Sequence, residues 1–207
     1  MKKVNKKTET RGRPSKAPSY LIKLRRLGIF RLKDARKAGI PQQTLSRLVA
    51  DDKIIRIEQG LYRHPDTEID PATEDFTVAC ANFGGEAAVG GLTALFQYHL
   101  TIQAPQQIWL IVPPEKYTRD TRYRCIRTKT SLNIGIVKHS TYRIVTIERA
   151  IAEGFRFATK IGLETAIGAA RTAFRDKLTT PAKLLNMARR LEIDTYVKKH
   201  WEAITVE

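Results

Sequence analysis

Cysteine is scarce in this chain. Cys80 and Cys125 are the only two in 207 residues, and neither stands in a CxxC or Cys-His spacing. A disulfide framework and a structural zinc site are thereby set aside, and both thiols are expected to be buried and reduced. The four histidines, His64, His99, His139 and His200, are scattered, and none falls in an HExxH pattern. No Walker A loop is present. Gly84-Gly85 and Gly90-Gly91 lack the spacing of a phosphate-cradling loop and read as tight turns at the ends of a strand. No apolar run approaches the roughly 20 residues that span a bilayer. The expectation is therefore a cytoplasmic chain with no metal, no cofactor and no membrane partner. One catalytic alternative stays open, a metal-dependent nuclease built on Glu86 and Glu115. It is disfavoured because Glu115-Lys116 follows Pro113-Pro114, after the preceding strand has ended.

Acidic residues are also few, 21 against 37 lysines and arginines, for a net charge of +16. The deficit is local. Through His64 there are 18 basic and 5 acidic residues, a net of +13, which leaves +3 for the rest. Solubility does not require such asymmetry. A field of this sign attracts phosphate and makes binding fall steeply with salt.

Residues 1–17 contain almost no large apolar side chain and read as a flexible basic arm, without the apolar core of a secretory signal. Within the arm, Arg11-Gly12-Arg13-Pro14 resembles an AT-hook core, whose arginines lie in a narrow minor groove. A tail that merely adds to phosphate attraction explains the same residues.

Residues 18–66 read as a winged helix-turn-helix. A first helix spans Ser19 to Leu27, with Tyr20, Leu24 and Leu27 on one stripe and Gly28 as its stop. A short helix around Lys33 to Lys37 is closed by Ala38-Gly39-Ile40-Pro41, where Gly39 can turn left-handed and Pro41 can open the next helix. That helix runs from about Gln42 to Ala50. At about 100° per residue Leu45, Leu48 and Val49 share one arc, while Gln42, Gln43, Ser46 and Arg47 share the opposite one. Two strands follow, Ile54 to Glu58 and Leu61 to His64, around the turn Gln59-Gly60, with Ile55 and Ile57 alternating with Arg56 and Glu58.

Gln, Ser and Arg on a recognition helix can read base edges, so Gln42, Gln43, Thr44, Ser46 and Arg47 are the candidates for specificity. Lys53, Arg56 and Arg63 are candidates for phosphate on the wing, and Arg11 and Arg13 for the minor groove. A solvated helix face and a protein-docking winged helix are the competing explanations, and the charge asymmetry favours DNA.

The acidic, proline-flanked stretch Pro65 to Pro71 marks the domain boundary. Residues 67–207 read as α/β, of the α+β kind. Helices are expected at Thr73 to Phe83 and Leu92 to His99. Strands are expected at Ala87 to Val89, Ile108 to Val112, Tyr123 to Arg127, Ile134 to Lys138 and Tyr142 to Thr146. Four helices then cover Glu148 to Phe157, Leu163 to Phe174, Pro181 to Leu191 and Thr195 to Ile204. The result is a mixed or mostly antiparallel sheet with a helical C-terminal lobe. Glu148-Arg149, an adjacent carboxylate and guanidinium at a strand-to-helix junction, can form a site, but the pair better suits a helix start, the carboxylate meeting the dipole and the arginine pairing back to a loop. Arg119, Arg122, Arg124, Arg127 and Lys129, beside Tyr117 and Tyr123, form a basic strip that can be a working surface or a solvated strand face.

Several segments resemble a known family. Gly39-Ile40, Thr44-Leu45, Arg47-Leu48-Val49, Ile54, Arg56 and Gly60-Leu61-Tyr62 resemble the winged helix of AbiEi-type antitoxins of bacterial type IV toxin-antitoxin systems. The likeness continues through Gly91 to Leu95, Trp109 to Pro113, Val145 to Arg149 and Ile161 to Glu164. The resemblance implies a repressor that binds operator repeats of its own operon, and a C-terminal domain that opposes a nucleotidyltransferase toxin without a stable complex. It implies no catalytic activity, and it makes the basic strip a candidate antitoxin surface. Three positions depart from the pattern. Pro41 replaces a serine N-cap, Asp52 replaces a glycine before the wing, and Thr146-Ile147 replaces Ser-Pro. A plain ligand-responsive transcription factor is the alternative from outside this family.

Overall fold

The computed structural model describes residues 17–205, and the arm candidates Arg11 and Arg13 lie outside them. The described residues divide into two compact units, with the division between Glu68 and Ile69.

The first unit runs α1 (Ala17–Leu27), β1 (Ile29–Arg31), α2 (Leu32–Lys37), α3 (Gln42–Ala50), β2 (Ile55–Glu58) and β3 (Leu61–Arg63). Its sheet has the order β1-β3-β2, antiparallel throughout. Leu24, Phe30, Ala35, Ile40, Leu45, Leu48 and Ile54 form one buried cluster drawn from the three helices, the α2–α3 turn, β1 and the residue before β2, with Tyr62 of β3 packed against it. Gly28, Gly39 and Gly60 all take positive φ, at the end of α1, at the end of α2 and in the wing turn. Strand β1 was not foreseen, because three residues between Gly28 and Leu32 are too few to display an alternation. The wing also differs from the expected pattern. Ile54 is the buried residue at 1% exposure, while Ile55 is 38% exposed, and the register slips between Arg56 and Glu58. That slip is a bulge, which breaks the period of two on which the expectation rested.

The three departures from the resembled pattern fall at a helix start, a left-handed turn and a second helix start. Pro41 is the N-cap of α3 and supplies no side-chain cap. Asp52 sits at φ +53°, the left-handed conformation that a glycine adopts without strain. Thr146, as N-cap of a later helix, accepts a hydrogen bond from the Arg149 amide, so threonine does the capping work of the serine it replaces.

The second unit starts with a 3₁₀ turn (Pro71–Thr73) and α4 (Glu74–Phe83), followed by β4 (Ala88–Val89), α5 (Gly91–Gln97), β5 (Ile108–Val112), β6 (Tyr123–Arg127), β7 (Ile136–Lys138) and β8 (Arg143–Val145). The strand order is β6-β5-β4-β8-β7. The sheet is mixed, with β5-β6 and β4-β8 parallel and β4-β5 and β7-β8 antiparallel. Helix α5 lies close on the sheet, since a Cβ on Gly91 would come within 2.5 Å of the Trp109 ring.

The lobe comprises α6 (Ile147–Arg156), α7 (Ala158–Ile161), α8 (Leu163–Arg175), α9 (Pro181–Arg190), α10 (Asp194–Lys198) and α11 (Trp201–Thr205). The helix expected over Thr195 to Ile204 is thus two, broken where His200 stacks on Phe155 of α6 at 6.0 Å. Helix α6 is the centre of the lobe, with every residue from Arg149 to Phe155 buried. Arg149 does pair back to a loop, donating to the carbonyls of Ser131 and Ile134. It also donates to Glu153 at 2.9 Å, with the arginine side chain fully buried. Burial pushes the Glu153 carboxyl up from its ordinary range, and the Arg149 guanidinium opposes that rise. No helix among the described residues is long and apolar enough to cross a membrane.

Candidate nucleic-acid interface

Helix α3 is fixed from beneath by Leu45 and Leu48, 1% and 2% exposed, and held at its start by a bond from the Leu45 amide to the Pro41 carbonyl. Anchoring these two positions turns the opposite arc outward. Gln42, Gln43, Ser46 and Arg47 are all exposed, and Thr44 is half-buried. The side chains of Gln43, Ser46 and Arg47 have no hydrogen bond or ion pair among the described residues, so their polar groups face solvent.

Gln42 is different. Arg36 of α2 donates from Nη2 to its Oε1 at 2.6 Å across the turn between the two helices. Arg36 was not among the residues singled out from sequence. With Lys33 and Lys37 it stands at i, i+3 and i+4, all three exposed while Ala35 is buried, and that spacing was the available signal.

The wing candidates separate. Arg56 is exposed, with a 3.4 Å contact to the Glu58 carbonyl. Arg63 is half-buried and donates to the Thr67 carbonyl at 3.1 Å, which ties the end of β3 to the chain that follows. Lys53 is exposed and lies 3.8 Å from Asp51, a separation worth little in water.

The basic strip of the second unit is not one surface. Along β6, Arg124 shares a face with Ile126, whereas Arg127 shares the other with Tyr123 and Cys125. Arg124 lies over the Trp109 ring at 4.3 Å. Arg122 is held by Asp120 through contacts of 2.7 to 3.1 Å, and this guanidinium keeps the Asp120 carboxyl below its usual range. Arg119, Arg127 and Lys129 remain exposed and are not brought together on one strand face.

Glu86 lies in a turn before β4 and Glu115 in a turn after β5. Among the described residues there is no group of three or more His, Cys, Asp or Glu side chains that could hold a metal ion. Cys80 is buried and Cys125 partly so, both free. Burial raises both thiols above their ordinary pKa, with backbone hydrogen bonds opposing it at Cys80 and Arg127 opposing it at Cys125.

Helix α3 thus presents an exposed polar arc above two buried leucines, in the basic third of the chain. Residues 20–65 match the family model described as transcriptional regulator, AbiEi antitoxin. The AbiEi match covers α1 through β3 almost completely, and it bears out the likeness that the winged-helix residues showed. The residues after 65 lie outside it. No curated protein matches the chain. The matched AbiEi family is regulatory, and its description joins transcriptional regulation to an antitoxin role.

Proposed function

We propose that this chain is a DNA-binding repressor of its own operon and a type IV antitoxin that opposes a nucleotidyltransferase toxin without forming a stable complex with it. The observation that carries the DNA half is the face of α3, where Gln43, Ser46 and Arg47 stand exposed and unpaired above the buried Leu45 and Leu48. The concentration of +13 within 64 residues supports it, since phosphate neutralisation supplies sequence-independent affinity. In this reading Gln42, Gln43, Thr44, Ser46 and Arg47 select the operator repeats and Arg56 holds phosphate, with Lys33, Arg36 and Lys37 adding to the field. Arg63 serves the fold of the wing more than the phosphate.

The antitoxin half rests on the AbiEi match together with the likeness of the later segments. Of the basic strip, Arg119, Arg127 and Lys129 are the side chains left to act on it, because they are exposed and among the described residues have no acidic partner of the kind that holds Arg122. Co-expression with the product of the neighbouring gene tests this half. Rescue from a toxic nucleotidyltransferase supports it, and equal toxicity with and without this chain contradicts it. Titration onto the DNA upstream of the gene tests the first half, and the absence of site-selective binding at moderate salt contradicts it.

A further inference from the structure

A cleft of about 490 Å³ opens in the second unit between α4, α5, the 104–107 loop and the start of β6. Its size falls within the roughly 300–1,000 Å³ range of small-molecule sites. The apolar walls come from Phe76, Val78, Phe96, Pro105 and Ile108. Phe96 is 40% exposed, and the exposed part of its ring offers an apolar surface for stacking at the cleft.

The polar groups at this cleft set the direction of hydrogen bonding. Arg122 is already engaged by Asp120, so its guanidinium is neutralised. Gln107 donates from Nε2 to the Thr121 carbonyl at 2.7 Å, which leaves its Oε1 to accept. Asp75 is exposed, and its carboxylate only accepts. Gln97 and Gln106 have no hydrogen-bond partner among the described residues and can adapt to either role. Arg122 can only donate and is engaged by Asp120, whereas the Asp75 carboxylate and Gln107 Oε1 accept, so the charge left without an ion-pair partner at this cleft is negative. A phosphate or carboxylate is therefore a poor fit, whereas a planar ring that carries an amino group is a good one.

We propose that this cleft binds an uncharged, amino-bearing heteroaromatic ring of the adenine or cytosine kind, stacked on Phe96 and donating its amino hydrogens to Asp75 and the glutamine carboxamides. Nothing in this proposal depends on DNA binding by α3, and the test uses no DNA.

The experiment is calorimetric titration of the full chain with adenosine, cytidine, inosine and uridine. Inosine and uridine replace the exocyclic amino group with a carbonyl. Adenosine or cytidine is expected to bind saturably below about 1 mM and at least about tenfold more tightly than its carbonyl counterpart. Adenosine monophosphate is expected to bind more weakly than adenosine. Phe96→Ala should weaken binding about tenfold, and Asp75→Asn should erase the preference for the amino group. Both side chains are exposed, so a thermal melt shows directly that the variants still fold. Equal affinity for amino and carbonyl bases overturns the proposal. So does the absence of saturable binding by all four nucleosides, or affinity unchanged in both folded variants.

Discussion

The Arg36 guanidinium and the Gln42 carboxamide oxygen are joined at 2.6 Å across the turn of the helix-turn-helix. Bidentate recognition of adenine needs both an acceptor and a donor from glutamine. With one lone pair of Oε1 engaged by Arg36 and both amide hydrogens without a partner among the described residues, Gln42 favours acceptor edges such as guanine O6 and N7 or thymine O4. Arg36→Ala should free Oε1 and move the preference at that base toward adenine, by about 1–3 kcal/mol of discrimination. Selection from a randomised operator with wild-type and variant protein reads this. An unchanged preference would show that the Arg36 contact does not govern Gln42.

Three arginines should behave in three ways. Arg47→Ala is expected to relax sequence preference, because its side chain is unpaired on the exposed face of α3. Arg56→Ala should weaken all sequences alike and reduce the salt slope by about 1. Arg63→Ala should instead cost about 1 kcal/mol of stability, through loss of the bond to the Thr67 carbonyl. Parallel denaturation curves and salt titrations on specific and scrambled DNA separate the three.

Asp52 occupies φ +53°. Asp52→Gly should raise stability by about 0.5–1 kcal/mol, since relief of the left-handed strain outweighs glycine's added chain entropy. Chemical denaturation without DNA checks the sign, and a loss of stability would mean that the Asp52 side chain makes its own favourable contribution to the turn.

Alkaline stability should depend on Tyr98. Its hydroxyl donates to the Val145 carbonyl at 2.7 Å, and burial, aided by Tyr142 and Glu148, pushes its pKa up from 10 to about 12. A raised folded pKa means that the native state holds the proton longer than the unfolded chain. The contribution is therefore complete below about pH 10 and is lost between about pH 10 and 12. Tyr98→Phe should lose about 1 kcal/mol at neutral pH and show a shallower decline of stability above pH 10. Equal alkaline slopes for the two proteins would assign that decline to other groups.

What the sequence made legible follows from how many residues each signal spans. Helix α3 was readable to the residue because nine positions carry the period of 3.6, with Pro41 in front. Strands β5 and β6 were readable for a similar reason, as runs of five residues bounded by turn chemistry. Strand β1 and the exchange of roles between Ile54 and Ile55 were not, since a three-residue strand and a bulged wing give no period to read. The basic strip looked continuous because charge was read along the chain. Pairing β6 with β5 places alternate residues on opposite faces and sets Arg124 on Trp109. Glu153 escaped notice altogether. Its spacing of four from Arg149 looks like any surface helix pair, and only the packing of α6 at the centre of the lobe reveals the pair as buried.

The most direct test of the central claim is a salt-dependent binding titration of the full chain on the DNA upstream of its own gene, set against scrambled DNA of equal length. It is repeated with the double variant Gln43→Ala, Arg47→Ala. The account predicts site-selective binding at moderate salt, a steep fall with rising salt, and a double variant that folds normally and keeps the salt dependence but loses selectivity. Selectivity retained in that variant would contradict the role assigned to α3, and equal affinity of the wild-type chain for both DNAs would contradict the account itself.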